Sequence, residues 1–342
     1  MAPVQRVGIV TGGTWCVDRN KMIEYWPQED AVAEILSEEA RGGGSGCNLA
    51  IDIRKLDPNL PVETIGLVGD DDDGRLLFAE ADAFGIDRRQ LAVTRDAKTF
   101  YTDAYGSRQS GRRTHIFNMG SGALLTPDHF DFGLTNGRIL HLGLPGVHRL
   151  MDAPWQDDAN GWVSVLRKAR AAGLVTNLEL VTVAPERLAA LVRPCLPHLD
   201  LAVVNDSEIG AIGDEKTASD GRTDVAACIR AAKKVMAAGS TDIVVAHFPA
   251  GAIAVTRSGE VVTHPSVRVP PSAVVGANGA GDAFAAGYLY GFHSAWSLND
   301  CLALAHACAA ASLRTISTTG SVDTWQNCLA LARQWGWNDP IA

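Results

Sequence analysis

The sequence lacks several features that mark common protein classes. No uninterrupted apolar run approaches the roughly 18 residues needed to cross a bilayer, and the N-terminus has neither the basic start nor the long apolar core of a signal peptide. The seven cysteines are odd in number and have no paired spacing, which indicates a reducing compartment rather than a disulfide framework. These absences predict a cytoplasmic protein that does not enter a membrane.

Positive charge is also scarce. The formal net charge is −9, with 30 Lys and Arg against 39 Asp and Glu, which argues against nucleic acid or an anionic membrane as the main partner. The sequence contains no Gly-x-x-x-x-Gly-Lys-Ser/Thr loop and no Gly-x-Ser-x-Gly turn, and this excludes the P-loop and α/β-hydrolase classes. An anionic nucleotide remains compatible with the net charge, because backbone dipoles and a divalent cation act locally.

Short β-rich runs alternate with helical patterns along most of the 342 residues. Near-continuous apolar strands separated by helices predict a mostly parallel sheet that helices cover on both faces. The composition, 46% hydrophobic and 20% charged, is that of an ordinary globular protein. The candidate strands are 6–11, 62–68, 138–144, 174–180, 201–204, 242–246 and 252–256.

Two segments, 14–28 and 98–117, break this rhythm with alternating patterns and no adjacent helix. They predict either edge strands or a small β lid over the strand ends, where ligands bind in open α/β sheets. We therefore expect one domain over 1–342 with a protruding lid. The lid aromatics could pack on a sugar or a nucleobase, or form a homodimer interface; they are Trp15, Trp26, Phe100 and Tyr101.

The most informative stretch is Gly279-Ala280-Gly281-Asp282, which precedes a small-residue apolar helix. Successive backbone N–H groups at the positive end of a helix form an anion cradle. Asp282 would stand beside a phosphate held there and could take a proton from an attacking hydroxyl. The alternative is a glycine turn whose aspartate only favours the helix dipole.

Three other groups of polar or flexible residues are candidate ligand contacts. The glycine-rich run 42–46 leads to Asn48, which offers both a donor and an acceptor, and Gly43 and Gly44 would let the backbone approach a ligand. Asp18 could accept hydrogen bonds from two substrate hydroxyls, although a lone loop aspartate is more often solvated. Arg112 and Arg113 could bind a substrate phosphate or carboxylate, or be solvated at a hairpin end.

Asn205 and Glu208 follow the apolar strand 201–204. Asparagine followed three residues later by glutamate is typical of a capping box at a helix start. The same two side chains could also hold a hydrated Mg²⁺, which keeps several waters and needs few protein ligands. Beside a phosphate cradle the two interpretations are compatible.

The order of these pieces resembles that of the ribokinase-like (PfkB) family of carbohydrate and nucleoside kinases over nearly the whole chain. The matching pieces are Asp18, the loop 43–48, the Gly-x-x-Gly-x-Asp segment 66–71, the Asn-x-x-Glu pair 205–208 and the signature 279–282. The resemblance implies a three-layer α/β/α ribokinase-like fold with a β lid. It also implies γ-phosphoryl transfer from ATP to a hydroxyl, with Asp282 as the base, the amides of Gly279, Ala280 and Gly281 as the anion hole, and Mg²⁺ near Glu208.

The sequence departs from the family pattern at three places. Gly276-Ala277 replaces the usual Asp-Thr, so the sequence does not support a monovalent cation site. Gly143 stands where many sugar kinases carry a glutamate on a strand. The turn at 246–251 is bulkier than usual, so that His247 and Phe248 would reshape a nucleotide pocket near Gly251 and the helix around 306–311. Asn278, inside the signature, is the remaining candidate contact for the nucleotide.

The sequence therefore predicts an ATP-dependent kinase acting on a small polyhydroxylated substrate, contacted by Asp18, Gly43, Gly44 and Asn48. A sugar or sugar acid is the first choice, and a nucleoside is the alternative. A catalytically silent relative that binds nucleotide or sugar is a further alternative, favoured by Gly276-Ala277 and opposed by the intact Asp282. A dinucleotide-dependent oxidoreductase is a weaker one, since 8–13 is only a loose match to a Rossmann turn.

Overall fold

The computed structural model describes residues 6–341. Its strands are β1 (Ile9–Gly13), β2 (Cys16–Ile23), β3 (Ile35–Gly43), β4 (Val62–Gly69), β5 (Asp87–Thr94), β6 (Tyr101–Ser107), β7 (Arg113–Asn118), β8 (Ile139–Gly143), β9 (Val175–Leu178), β10 (Leu201–Asn205), β11 (Ala218–Ser219), β12 (Arg222–Thr223), β13 (Ile243–Phe248), β14 (Gly251–Thr256) and β15 (Val261–Pro265).

The α-helices follow the apolar 3.6-residue pattern of the sequence, and in the described part of the chain none is long and apolar enough to span a membrane. They are α1 (Ser45–Leu56), α2 (Asp72–Ala83), α3 (Arg149–Asp152), α4 (Gly161–Ala171), α5 (Pro185–Val192), α6 (Asp206–Gly213), α7 (Val225–Ala238), α8 (Ala280–His293), α9 (Leu298–Ser312) and α10 (Trp325–Trp335).

The main sheet has nine strands in the order β15-β14-β13-β10-β9-β8-β1-β4-β5. From β13 to β5 every neighbouring pair is parallel. The antiparallel pairs are β13 with β14 and β14 with β15, at one edge of the sheet. The mostly parallel sheet predicted from the sequence is confirmed. Its parallel strands end at one edge, where polar residues from different strands meet.

Alternate side chains of each strand point to opposite faces of the sheet and pack into two separate cores, one on each face. Ile9 packs toward the layer of α1, α8, α9 and α10, whereas its neighbour Val10 packs toward the layer of α4 to α7. Leu201 and Ala202 repeat this division on β10. Because both faces are covered, the strands read as continuous apolar runs.

A second sheet of four strands has the order β3-β2-β6-β7. Strands β2 and β6 are parallel, and both outer pairs are antiparallel. We refer to this sheet as the lid. The predicted strands do not include β3, because its residues Ser37-Glu38-Glu39-Ala40-Arg41 are charged and mostly exposed and show no apolar alternation. Two edge strands of the main sheet, β5 and β15, are also absent from the prediction.

Candidate active site

Helix α8 begins in a tight turn at one end of the sheet. Gly279 caps the helix with φ 74°, and a Cβ atom there would lie 2.4 Å from the carbonyl oxygen of Thr318, so only glycine fits. The first hydrogen bond of the helix runs from the Ala283 N–H to the Gly279 carbonyl, at 2.8 Å. The preceding N–H groups, those of residues 279–282, therefore have no partner within the helix and can face an anion.

Asp282 lies in the first turn of α8 and is held by Asn48 of α1. The Asn48 Nδ2 donates to Asp282 Oδ2 at 2.7 Å, and its Oδ1 accepts from Thr318 Oγ1 at 3.0 Å. The two bonds orient the Asn48 amide, so that its nitrogen points at the carboxylate. Burial and then the adjacent Glu179 carboxyl raise the pKa of Asp282 well above its usual range.

Asp18 of β2 faces the same space from the lid. Burial raises the pKa of Asp18 to about 7, and the nearby Asp282 carboxyl adds to the effect. A Cβ atom at Gly43 would lie 2.2 Å from Asp18 Oδ2, so the glycine is what leaves room for this carboxylate. The next residue, Gly44, turns the chain into α1 with φ 84°, and this turn presents Asn48 to Asp282.

A third carboxylate, which the sequence patterns above do not predict, lies beside Asp282. Glu179 follows β9, and its carboxylate accepts a hydrogen bond from His141 Nε2. Asn177 fixes the tautomer, because its Oδ1 accepts from the Val203 N–H at 3.2 Å while its Nδ2 donates to His141 Nδ1 at 2.9 Å. Burial lowers the pKa of His141 to about 4 and raises that of Glu179 to about 7.

The only sequence signal for Glu179 and His141 is their position relative to two neighbouring strands. Glu179 directly follows β9, and His141 lies in β8, the neighbouring parallel strand. Gly143 at the end of β8 has little room for a side chain, since a Cβ atom there would be 2.7 Å from Ser45 Oγ and 3.3 Å from the Glu179 Cβ. The carboxylate of Glu179, directly after β9, therefore lies next to Gly143 of β8, the position at which the family resemblance predicts a glutamate.

Asn205 and Glu208 form the capping box that their spacing predicts. The Asn205 Oδ1 accepts from the Glu208 N–H at 2.8 Å, and Glu208 Oε2 accepts from the Asn205 N–H at 2.9 Å. Glu208 is nevertheless buried, and burial raises its pKa to about 7, with Asp206 and Asp282 adding smaller contributions. A buried carboxylate that faces other carboxylates is a suitable neighbour for a cation.

Among residues 6–341 no three His, Cys, Asp or Glu side chains are close enough to enclose a metal ion. The donor set still fits Mg²⁺, because Glu208, Glu179 and Asp282 are oxygen donors that repel one another. A hydrated Mg²⁺ that takes further ligands from phosphate oxygens needs few of these groups directly.

A cavity of about 620 Å³ opens beside the start of α8. Asn205 lines one side, and Ala280 and Gly281 line another. Its aromatic part contains His247, Phe284 and His306, with the Phe284 ring centroid 4.7 Å from that of His247 and 5.0 Å from that of His306. Burial lowers the pKa of His247 to about 4 and that of His306 to about 3, so both rings are neutral near pH 7.

Three residues predicted as cofactor contacts, Glu208, Gly251 and Asn278, do not line this cavity. Gly251 starts β14 and is backed by the His264 carbonyl, which a Cβ atom would meet at 2.5 Å. Asn278 faces the lid, where its Nδ2 is 3.5 Å from Asn20 Oδ1. A larger cavity of about 810 Å³ between α5 and α6 contains none of the predicted site residues.

The lid aromatics also differ in their availability. Trp15 is 1% exposed, and its Nε1 donates to Thr64 Oγ1 at 2.6 Å. Phe100 is 3% exposed and packs on Phe117 and His148. These two side chains belong to the protein interior, whereas Trp26 is exposed at the far end of β2.

The model of the pfkB family of carbohydrate kinases matches residues 15–325. The chain is 26% identical over 304 residues to an ATP-dependent ribose-1-phosphate kinase of Halopiger xanaduensis, covering 89% of this chain and 91% of the relative. It is 25% identical over 333 residues to a 5-dehydro-2-deoxygluconokinase of Shouchella clausii, covering 95% of each.

Solved structures show the same fold. The ribokinase of Arabidopsis thaliana, in complex with ribose and ATP, superposes with a TM-score of 0.77 at 20% identity, covering 96% of this chain and 99% of the ribokinase. A protein of Escherichia coli in complex with ATP and Mg²⁺ gives a TM-score of 0.76 at 18% identity, with the same coverage. The predicted ribokinase-like fold is confirmed, and the chain belongs to the pfkB family of carbohydrate kinases.

Proposed function

We propose that this ATP-dependent sugar kinase uses Asp282 as the base that deprotonates the acceptor hydroxyl. The observation that carries the proposal is the position of Asp282 at the start of α8, with Asn48 and Asp18 near its carboxylate and the cavity beside the two residues that precede it. A carboxylate between an acceptor and a phosphate cradle is what in-line phosphoryl transfer requires.

In this proposal the acceptor lies between the lid and the sheet ends. Asp18 accepts hydrogen bonds from its hydroxyls, and the Asn48 amide orients Asp282. Gly43 and Gly44 contribute by leaving space and by turning the backbone. The raised pKa of Asp282 makes it a stronger base than an exposed aspartate, because general-base efficiency rises toward the operating pH.

The N–H groups of Gly279, Ala280 and Gly281 would offset the charge on the transferring group. Glu208 and Asn205 would hold Mg²⁺ through water; the bound ion would neutralise charge on the phosphate oxygens. The nucleotide would lie against the neutral aromatic side of the cavity, near His247 and His306.

A free sugar or a charged sugar derivative is favoured over a nucleoside as acceptor. Trp15 and Phe100 are buried in the interior, so they do not form a platform for a nucleobase. The names of two relatives point the same way, since one acts on a sugar phosphate and the other on a dehydro-deoxygluconate. The intact Asp282, Asn205 and Glu208 support turnover over a silent binding protein.

The test is Asp282→Asn, assayed by ATP consumption against sugars, sugar acids, sugar phosphates and nucleosides. We expect kcat to fall by at least about a hundredfold, the lower end for a positioned base, with folding and ATP binding preserved. Asp300→Asn is the matched control, because Asp300 lies in the first turn of α9 and does not line the cavity. Near-normal turnover by Asp282→Asn would remove Asp282 from the role.

A homodimer through the lid is a separate part of the proposal. The apolar side chains that such a contact could cover include Trp26, 50% exposed, and Ile116, 54% exposed. Sedimentation of the wild type and of Ile116→Lys tests it: a dimer that the substitution dissociates supports the contact, and a wild-type monomer contradicts it.

A further inference from the structure

The inner face of the lid carries a cation that the proposed mechanism does not use. Arg113 begins β7 and is half-buried, and among residues 6–341 no carboxylate forms an ion pair with it. Its guanidinium reaches toward the loop before α8, where a Cβ atom at Gly276 would lie 3.3 Å from Nη2. Asp18 is the acidic group that interacts electrostatically with the Arg113 guanidinium.

Strand register places two polar residues in one row on the same face. Asn20 of β2 is opposite Ala104 of β6, which is opposite His115 of β7. Cross-strand partners share a face, and so do residues two apart on one strand. Asp18 and Arg113, each two residues from a member of this row, therefore lie on that face as well.

One donor in the row has no partner. Asn20 is 5% exposed, and its Nδ2 makes no hydrogen bond to any described residue. Its Oδ1 accepts from Asn278 Nδ2 at 3.5 Å, which leaves the amide nitrogen as the polar atom without a partner. A buried amide nitrogen without a partner is unfavourable unless a ligand supplies an acceptor.

Given the proposed function, we propose that the acceptor carries an anionic group, either a phosphate or a carboxylate. Arg113 and Asn20 bind this group on the inner face of the lid. A guanidinium fork matches such oxygens, and the amide adds a neutral donor. The opposite side of the space carries the carboxyl groups of Glu179 and Asp282. Because those groups and Asp18 repel an anion, the anionic group of the acceptor is held at Arg113 and Asn20, and the reacting hydroxyl faces Asp282.

Arg113 could instead stabilise the transferring phosphoryl group of ATP. It does not line the 620 Å³ cavity, and the carboxyl group whose pKa it lowers is Asp18 of the lid. The two roles differ in kinetics. A contact to the transferring group would lower kcat for every acceptor, whereas an acceptor contact raises KM for anionic acceptors only.

The experiment compares matched acceptors, ribose 1-phosphate with ribose and gluconate with glucose, in the wild type, Arg113→Gln and Arg113→Lys. The control is Arg112→Gln, the exposed neighbour that precedes β7. We expect wild-type kcat/KM to favour one anionic acceptor, and Arg113→Gln to raise its KM about ten- to a hundredfold, the range for hydrogen bonds to a charged group. Arg113→Lys should recover part of the loss, and Arg112→Gln should match the wild type.

Calorimetric binding of the same four compounds separates this inference from the proposed function. Turnover of neutral sugars with equal or better kcat/KM than the anions overturns the anion site and leaves the kinase assignment intact. An equal fall in kcat for all acceptors in Arg113→Gln also overturns it, in favour of a contact to ATP. Binding of an anion that Arg113→Gln abolishes supports the site even if no acceptor is phosphorylated, and failure of both anions to bind overturns it.

Discussion

The proposed acceptor side and the proposed nucleotide side of the site meet at Asp282 but differ in charge and packing. On the acceptor side, the carboxyl groups of Asp18 and Glu179 come close to Asp282, and burial raises the pKa of each to about 7. On the nucleotide side, His247 and His306 are neutral rings around an open cavity.

The difference indicates how each side selects its ligand. The acceptor side is tightly packed, because Gly43 leaves no room for a single extra carbon beside Asp18. Such a site positions a hydroxyl and discriminates by geometry. The nucleotide side offers aromatic surface and unpaired N–H groups, which hold a ligand by shape and by backbone dipoles. Substitutions on the acceptor side should therefore have the larger effects.

The largest effect is expected from Gly43→Ala. The added carbon must displace Asp18, and a shift of about 1 Å in a positioning group can lower kcat/KM by about a hundredfold. Steady-state kinetics should show this loss for the acceptor while the KM for ATP changes little.

Gly106→Ala is the matched control in the same sheet. Gly106 lies in β6, and the nearest atom to an added Cβ would be Met22 Cε at an ordinary 3.6 Å. We expect near wild-type kinetics from it. Equal losses in the two variants would mean that the lid tolerates no added carbon anywhere, and the special tightness at Gly43 would be wrong.

An intermediate effect is expected from Glu179→Gln. The Glu179 carboxyl raises the pKa of Asp282, and the base must be deprotonated to act. Removing the charge lowers the pKa of Asp282, so the acidic limb of the pH–kcat profile moves to lower pH. Asp18 from β2, Asp52 from α1, Glu208 from α6 and His141 from β8 also face this carboxylate and remain in the variant.

Kinetics at pH 6 and pH 8 measure the shift. The ratio of kcat at pH 6 to kcat at pH 8 should rise in Glu179→Gln, whereas Glu186→Gln, an exposed residue in the first turn of α5, should leave it unchanged. An unaltered acidic limb would show that Glu179 does not set the ionisation of the base.

The fold and the main parts of the candidate site can be predicted from local patterns. Three motifs show this: the signature at Asp282, the glycine run before Asn48 and the capping box at Asn205. Each motif combines a backbone requirement with one functional side chain, and such a combination can be recognised in a single sequence. The sequence indicates Gly43 through its backbone flexibility, and the structure adds that its missing side chain makes room for Asp18.

The rest depended on tertiary neighbours. Glu179 directly follows β9 and His141 lies in the middle of β8, and only the pairing of these two strands brings them together. Arg113 and Asn20 share a face because of the lid register, which includes a strand, β3, without an apolar alternation. Isolated polar residues carry no spacing signal, so a single sequence cannot distinguish them from solvated ones.

The smallest effect is expected from His247→Ala on the nucleotide side. The substitution removes a ring from the wall of the cavity, and the loss of one aromatic contact to a bound nucleotide costs about 0.5–1.5 kcal/mol, so the KM for ATP should rise about two- to tenfold. Because the pKa of His247 is about 4, its ring stays neutral from pH 6 to pH 8, and the wild-type KM for ATP should not follow its titration. The acceptor KM should stay constant in the variant. A large rise in the acceptor KM would contradict the division between the two sides, because it would mean that the aromatic cavity also positions the sugar.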